Sequence, residues 1–173
     1  MKNRSVYLLC AALFLWAQAA RAADSDLSFT CEKKKFDDRA TVQARADESL
    51  QTDKWGYNVT VENQGFTNLS NLQVKYIIFY KHEQLGVKGP PRKESKSGTF
   101  SIPEIDSLGK TSFNTLSIAL TKSTLEGYTY FINGAKARAS DSLTGIWIRV
   151  YQNGTLFAEY SYPEGLTSIE TWK

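Results

Sequence analysis

Ile146-Trp147-Ile148-Arg149-Val150-Tyr151-Gln152-Asn153-Gly154-Thr155-Leu156-Phe157-Ala158-Glu159-Tyr160 reads as two strands and the turn that joins them. Asn153-Gly154 is the preferred pair for a two-residue type I′ turn, which needs positive φ at both central residues. Glycine reaches that conformation without steric cost, and asparagine reaches it more easily than most residues. The flanking runs are rich in β-branched and aromatic residues, as strands are. With such a turn Gln152 faces Thr155, Tyr151 faces Leu156, Val150 faces Phe157 and Arg149 faces Ala158. One face of the hairpin then carries Trp147, Arg149, Tyr151 and Tyr160, and Tyr162 extends the row. Ile148, Val150 and Phe157 occupy the other face.

Working upstream, the same period-two pattern recurs. Leu27 to Cys31 alternates and predicts a first strand that ends at the charged patch Glu32-Lys33-Lys34-Lys35. Ala40 to Ala46 alternates weakly and predicts a second. Tyr57, Val59 and Val61 point one way while Asn58, Thr60 and Glu62 point the other, before Asn63-Gln64-Gly65 supplies turn chemistry. Leu72 to Tyr80 is apolar on both faces, as expected of a strand inside a sheet with both sides covered. Gly86 to Lys96 is basic and polar and holds Pro90-Pro91, which a central sheet excludes, so it reads as an exposed excursion.

Phe100, Ile102 and Ile105 lead to a turn at Ser107-Leu108-Gly109, and Phe113, Leu116, Ile118 and Leu120 form the next strand. Ser123 to Asn133 reads as irregular, or as a short helix opening at Thr124-Leu125-Glu126. About seven short strands with frequent turns predict an all-β, two-sheet antiparallel sandwich, with a closed barrel as the alternative.

The chain opens as an export signal: Lys2 and Arg4, an apolar run from Val6 to Trp16, then Ala20 and Ala22 at the two small positions before a cut after Ala22. The apolar run is about 11 residues long, and a spanning helix needs roughly 20. Leu9 before Cys10 fits a lipid-attachment site badly. The expected domains are residues 1–22 as signal peptide and 23–173 as one sandwich domain.

Cleavage would remove three of the 21 basic residues and no acid, leaving 18 against 18 acidic. The net charge of +3 then vanishes, and no basic field remains to suggest nucleic acid or an anionic membrane surface as partner. Cys31 is the sole cysteine after the cut, so no internal disulfide can form and stability rests on core packing. A buried, inert thiol is the expected reading of Cys31.

Equipment for catalysis is sparse. His82 is the single histidine, and neither a zinc-protease helix nor a histidine-rich metal site can be built from one. No Gly-x-Ser-x-Gly elbow accompanies it. Asp37, Asp38, Glu104, Asp106, Asp141 and Glu159 are carboxylates that no spacing pairs for glycoside cleavage. Asp24-Ser25-Asp26 lacks the rest of a calcium loop. The expectation is no catalytic residue, no metal and no cofactor. Trp147, Arg149, Tyr151 and Tyr160 remain as a candidate binding strip, suited to sugar stacking or protein docking if that face is exposed. Open sheet edges offer a second route, because their free backbone groups accept a strand from another subunit.

Tyr57-Asn58-Val59-Thr60-Val61-Glu62-Asn63-Gln64-Gly65, with Ile102 to Lys110, resembles bacterial immunoglobulin-like adhesion-type domains, in which a Val-x-Val-x-Asn strand precedes a Leu-x-Gly turn. Leu108 and Gly109 are adjacent, one residue short of that pattern. Asp141 to Tyr151, with Ala158-Glu159-Tyr160-Ser161-Tyr162-Pro163, resembles a group of small secreted proteins of verrucomicrobial-type bacteria, associated with the outer membrane and with pili. The resemblance implies an immunoglobulin-like sandwich at the cell surface, in the periplasm or outside the cell. It implies an envelope or pilus protein, or a glycan, as partner. The expected function is a non-catalytic envelope module, adhesive or pilus-associated, with carbohydrate binding as the alternative.

Overall fold

The computed structural model describes residues 26–45, 48–126 and 131–172, and within them the chain forms nine strands. They are β1 (Leu27–Arg45), β2 (Glu48–Asn63), β3 (Leu69–His82), β4 (Arg92–Ile105), β5 (Lys110–Asn114), β6 (Ile118–Leu125), β7 (Arg138–Ser140), β8 (Ser142–Gln152) and β9 (Thr155–Tyr162). A 3-10 turn at Leu166–Ser168 follows. The expected signal peptide and residues 127–130 lie outside the described residues. None of the described helices is long and apolar enough to cross a membrane.

The strands form two antiparallel sheets. One has the order β1-β2-β6-β7, with β5 also on β2; the other has the order β4-β3-β8-β9. The architecture is therefore all-β and sandwich-like. β2 pairs with β6 along Glu48 to Trp55 and with β5 along Asn58 to Glu62, so β5 and β6 are two halves of one row. The sequence reading merged them. Thr115, buried at the break, explains why they part: its hydroxyl accepts from Tyr57 N at 2.9 Å, and Leu116 N donates to the Tyr76 hydroxyl at 2.9 Å.

Alternation decides what lies between the sheets. Tyr57, Val59 and Val61 of β2 meet Val74, Tyr76 and Ile78 of β3 and Ile146, Ile148 and Val150 of β8 in one buried cluster. Full burial of each aliphatic side chain contributes about 1.5–3 kcal/mol. At one end Asn63 stitches two turns together: its amide nitrogen donates to Thr67 O and Asp106 O, and its carbonyl accepts from Gly65 N. Asn63 N also donates to Gly109 O, so the Asn63-Gln64-Gly65 and Ser107-Leu108-Gly109 turns meet in space.

β3 is covered on both faces, as its apolar pattern implies. Its outward Ile77 and Phe79 join Trp147 and Leu166 in a second, smaller cluster that Trp172 caps. The chain after β9 thus folds back over the outside of the β3-β8 sheet.

Four local expectations need correcting. β1 does not stop at Glu32-Lys33-Lys34-Lys35; it continues to Arg45 with register shifts, because an edge strand tolerates charge on its solvent side. Thr124 and Leu125 belong to β6 and not to a helix, since pairing with β2 overrides their weak local preference. The excursion after Gly86 ends at Arg92, where β4 begins.

The fourth correction concerns the hairpin. Asn153 and Gly154 have φ of 51° and 80°, and Gln152 pairs with Thr155 and Tyr151 with Leu156 as expected. Beyond them a one-residue bulge shifts the register, so Val150 pairs with Ala158, Arg149 with Glu159 and Ile148 with Tyr160. A slip of one residue moves every later side chain of β9 to the opposite face.

Candidate functional site

That slip dismantles the expected strip. Trp147, Arg149 and Tyr151 project from β8 on the outer face, but Tyr160 turns inward and stacks on Phe29 at 5.2 Å between ring centroids. Tyr162 also points inward, edge-on to Tyr57. Glu159 takes the outer place beside Arg149. Its Oε1 accepts from Trp147 Nε1 at 2.8 Å and from Arg149 Nε at 2.6 Å. The Arg149 guanidinium lies 5.1 Å from the Trp147 ring and 4.4 Å from the Trp172 ring. Trp147 is only 7% exposed. It is neither in the main core nor on the surface; it lies on the outer face beneath the C-terminal segment. A stacking platform for a sugar needs several bare rings on one face; on the outer face Tyr151 stays partly open, with the Lys75 ammonium 5.0 Å from its centroid, while Tyr162, 41% exposed, lies on the other face.

Comparison with known proteins adds little to this geometry. No protein-family model matches the chain, and no curated protein matches it. One solved structure, described as the X-ray structure of Northeast Structural Genomics Consortium target SoR45, is similar at 8% identity with a TM-score of 0.40, over 86% of this chain and 95% of that one. A likeness at that level carries no weight for fold or function.

The sheet edges differ sharply from one another. β1 is long, but Glu32, Lys34 and Asp37 charge it and its register shifts three times. β7 has three residues. β9 is eight residues long and stops at Tyr162, just before Pro163. β4 pairs with β3 in unbroken register from Arg92 to Ile102 and has no strand on its other side among the described residues. Its middle, Ser95-Lys96-Ser97-Gly98-Thr99-Phe100-Ser101, consists mainly of small side chains, and Lys96 is drawn aside toward Ser117 O at 3.3 Å. Charge, bulges and proline are the usual means of blunting an edge; the middle of β4 has only Lys96.

His82 is not an isolated surface histidine. It closes β3, and its Nδ1 lies 3.0 Å from Oδ1 of Asp141. Asp141 is buried at the crossing from β7 in one sheet to β8 in the other. Its Oδ1 also accepts from Glu83 N at 2.9 Å and its Oδ2 from Thr121 N at 2.9 Å. One carboxylate therefore ties β6, the end of β3 and the β7-β8 crossing. The sequence reading weighed Asp141 as a carboxylate and found no partner for it, because its partners are backbone groups and a histidine about 60 residues away.

A groove of about 560 Å³ opens above this clip, lined by His82 and Glu83, the β3-β4 loop, Arg92, and the segment from Gly134 to Ala139. The two sides are joined by Asn133, whose Nδ2 donates to Gly86 O at 2.9 Å. At the β4 side, Arg92 pairs with Glu94, and Glu94 accepts from the Tyr80 hydroxyl at 2.7 Å. The Tyr80 bond, followed by the Arg92 charge, holds the Glu94 carboxyl below its usual range. Among the described residues no serine or threonine side chain lines this groove. The described residues bring no three histidine, cysteine or acidic side chains into a metal-binding group. Cys31, half-buried on β1, has its thiol pushed up by burial to about 12, which leaves it a poor nucleophile.

Proposed function

We propose that this chain is an exported, non-catalytic module of the cell envelope, adhesive or pilus-associated, that works by protein–protein contact along the free edge of β4. The observation that carries the reading is the contrast between edges: among the described strands β4 alone presents a long edge in unbroken register, without a bulge and with mainly small side chains at its middle. In strand addition the backbone of such an edge supplies affinity through main-chain hydrogen bonds, while pockets for alternate side chains supply specificity. Burial of Trp147 beneath the C-terminal segment removes the flat aromatic surface that a carbohydrate-binding reading requires.

We infer further that the sandwich is of the immunoglobulin-like kind. The order β9-β8-β3-β4 facing β1-β2-β5 supports this, as does the meeting of the Val59-Thr60-Val61-Glu62-Asn63 strand end with the Leu108-Gly109 turn. The cell-surface setting rests on the export-signal reading and on the resemblance of the Asp141–Tyr151 stretch to small secreted verrucomicrobial-type proteins.

The test is a pull-down of the protein against its own envelope extract, run beside a glycan array, with a Ser97→Lys/Thr99→Lys variant for comparison. The reading expects capture of a pilus or outer-membrane protein that the variant loses at least tenfold. Protection of β4 amides from hydrogen exchange in the captured complex is expected as well. Capture that the variant does not weaken, or binding to glycans alone, overturns it.

A further inference from the structure

The groove above the Asp141 clip is lined by far more cations than carboxylates. Four cations line it, Lys88, Arg92, Lys136 and Arg138, against one carboxylate, Glu83. Glu83 is already engaged, since its Oε2 accepts from Ser140 N at 3.2 Å. Arg92 is engaged by Glu94. Lys88, Lys136 and Arg138 form no ion pair with any described residue, and what sets them apart from other such side chains is that they line one concavity together. Unpaired cations converging on one concavity in a chain whose exported part is neutral require a specific explanation, because like charges brought together on two loops repel one another.

The local sequence shows how the convergence is built. In Ala135-Lys136-Ala137-Arg138-Ala139 the chain bends at Ala137 and enters β7 at Arg138, and Ala135, Lys136, Arg138 and Ala139 all line the groove. Lys136 and Arg138, on either side of that bend, thus reach the same concavity. Lys88 comes from the opposite loop, which Asn133 holds at a fixed distance through Gly86. Pro90 and Pro91 stiffen that loop and offer an apolar wall beside the charges. His82 is oriented from beneath: with Nδ1 committed to Asp141, Nε2 is the ring atom left for a ligand. The volume falls within the roughly 300–1,000 Å³ usual for small-molecule sites.

We propose that this groove binds a small polyanion, a molecule carrying two or more sulfate, phosphate or carboxylate groups on a polar body. Lys136 and Arg138 would hold one oxyanion and Lys88 another across the gap. Arginine and lysine both donate charge-assisted hydrogen bonds to such groups, arginine in a planar fork. The site is separate from the β4 edge: it lies at one end of the sandwich, and its occupancy does not require strand addition.

The experiment is isothermal titration of the purified protein in 20 mM salt with four compounds: sucrose octasulfate, trigalacturonate, inorganic pyrophosphate and, as a neutral control, maltotriose. The expected result is saturable binding of at least one of the three anions and none of maltotriose. Binding should weaken at least tenfold in Lys136→Ala/Arg138→Ala and keep its strength in Lys54→Ala/Lys110→Ala, which removes two cations elsewhere on the surface. Preference for the saccharides identifies an acidic sugar as the source of the oxyanions, and preference for pyrophosphate identifies a phosphorylated ligand. Circular dichroism and thermal melting of each variant separate loss of binding from loss of fold. If no anion binds below 1 mM, or if both double variants weaken binding equally, the groove is not a site. A strand-addition partner that the Lys136→Ala/Arg138→Ala protein still captures leaves the function proposed above intact while this inference fails.

Discussion

Replacing Asp141 by alanine tests how the two sheets are held in register with one another. The carboxylate accepts from Thr121 N on β6, from Glu83 N just past β3 and from His82 Nδ1, at 2.9, 2.9 and 3.0 Å. Alanine removes both acceptor oxygens, leaves the three donors without them and fills none of the space. The Thr121 and Glu83 amides are part-buried, and a hydrogen bond to an ionised acceptor contributes about 1.5–3 kcal/mol. Water can reach Glu83 through the groove, so one amide loses its full bond and the other only part of it. The sum is about 3 kcal/mol, a large fraction of the roughly 5–15 kcal/mol that stabilises an ordinary domain.

Asparagine is the informative companion. It keeps one acceptor oxygen but sets an NH2 group against the second amide, so the expected cost is about 2 kcal/mol. Urea titration followed by tryptophan fluorescence reads both values as shifts in midpoint at constant slope. His82→Ala should cost under about 1 kcal/mol, because its side chain is 42% exposed and solvates readily. A loss below about 1 kcal/mol for Asp141→Ala would refute the view that this residue clips the sheets together.

Four other outcomes follow from the packing. Gly98→Val should destabilise strongly, by about 3 kcal/mol or more, because a Cβ there falls on the Tyr76 ring; thermal melting checks it. Leu166→Ala should cost about 2–3 kcal/mol and red-shift tryptophan emission, since Leu166 is buried against Ile77, Phe79 and Trp147; an unchanged spectrum would mean the C-terminal segment does not cover Trp147. Tyr57→Phe should be neutral or stabilising by up to about 1 kcal/mol, because the Tyr57 hydroxyl is buried without a partner among the described residues; a loss above 1 kcal/mol in urea would show a bond that the fold conceals. Cys31 should react with iodoacetamide at pH 8 about a thousandfold more slowly than in urea, since burial raises its pKa from 9.0 to about 12.

How much of this was legible depended on whether a signal was local. The Asn153-Gly154 turn, the alternation of Tyr57, Val59 and Val61, and the two-faced apolarity of Leu72 to Tyr80 are all encoded within a few residues, and each appears where expected. The bulge that turns Tyr160 inward is not local. Register beyond a turn is set by which residues bury best against the other sheet, and Ala158, Tyr160 and Tyr162 pack inward opposite Val150, Ile148 and Ile146. The same holds for Asp141, whose meaning lies in Thr121 and Glu83. It holds too for the basic groove, where the charged excursion after Gly86 is plain in the sequence but its counterpart at Lys136 and Arg138 joins it only through the fold.

The edges and the outer face can be weighed against each other as costs. An edge strand with free backbone groups invites unwanted pairing, and β1 carries three lysines and three register shifts against that hazard. The outer face of β3 and β8 exposes Ile77, Phe79 and Trp147 unless something lies over it, and the C-terminal segment does so, held by Trp172 on Arg149 and by Glu170 on Lys93 at 2.8 Å. The fold thus shields two hazards by separate devices. Glu170 holds Lys93 at the start of β4, yet the strand's middle has only Lys96, and that ammonium is turned toward Ser117. Glycine at position 98 cannot be exchanged for a blocking side chain, since Tyr76 lies against it, but Ser97 and Thr99 are exposed and free to carry charge. A chain that tolerates lysines there without loss of stability, and loses its partner on acquiring them, would have kept β4 bare for pairing and not for want of an alternative.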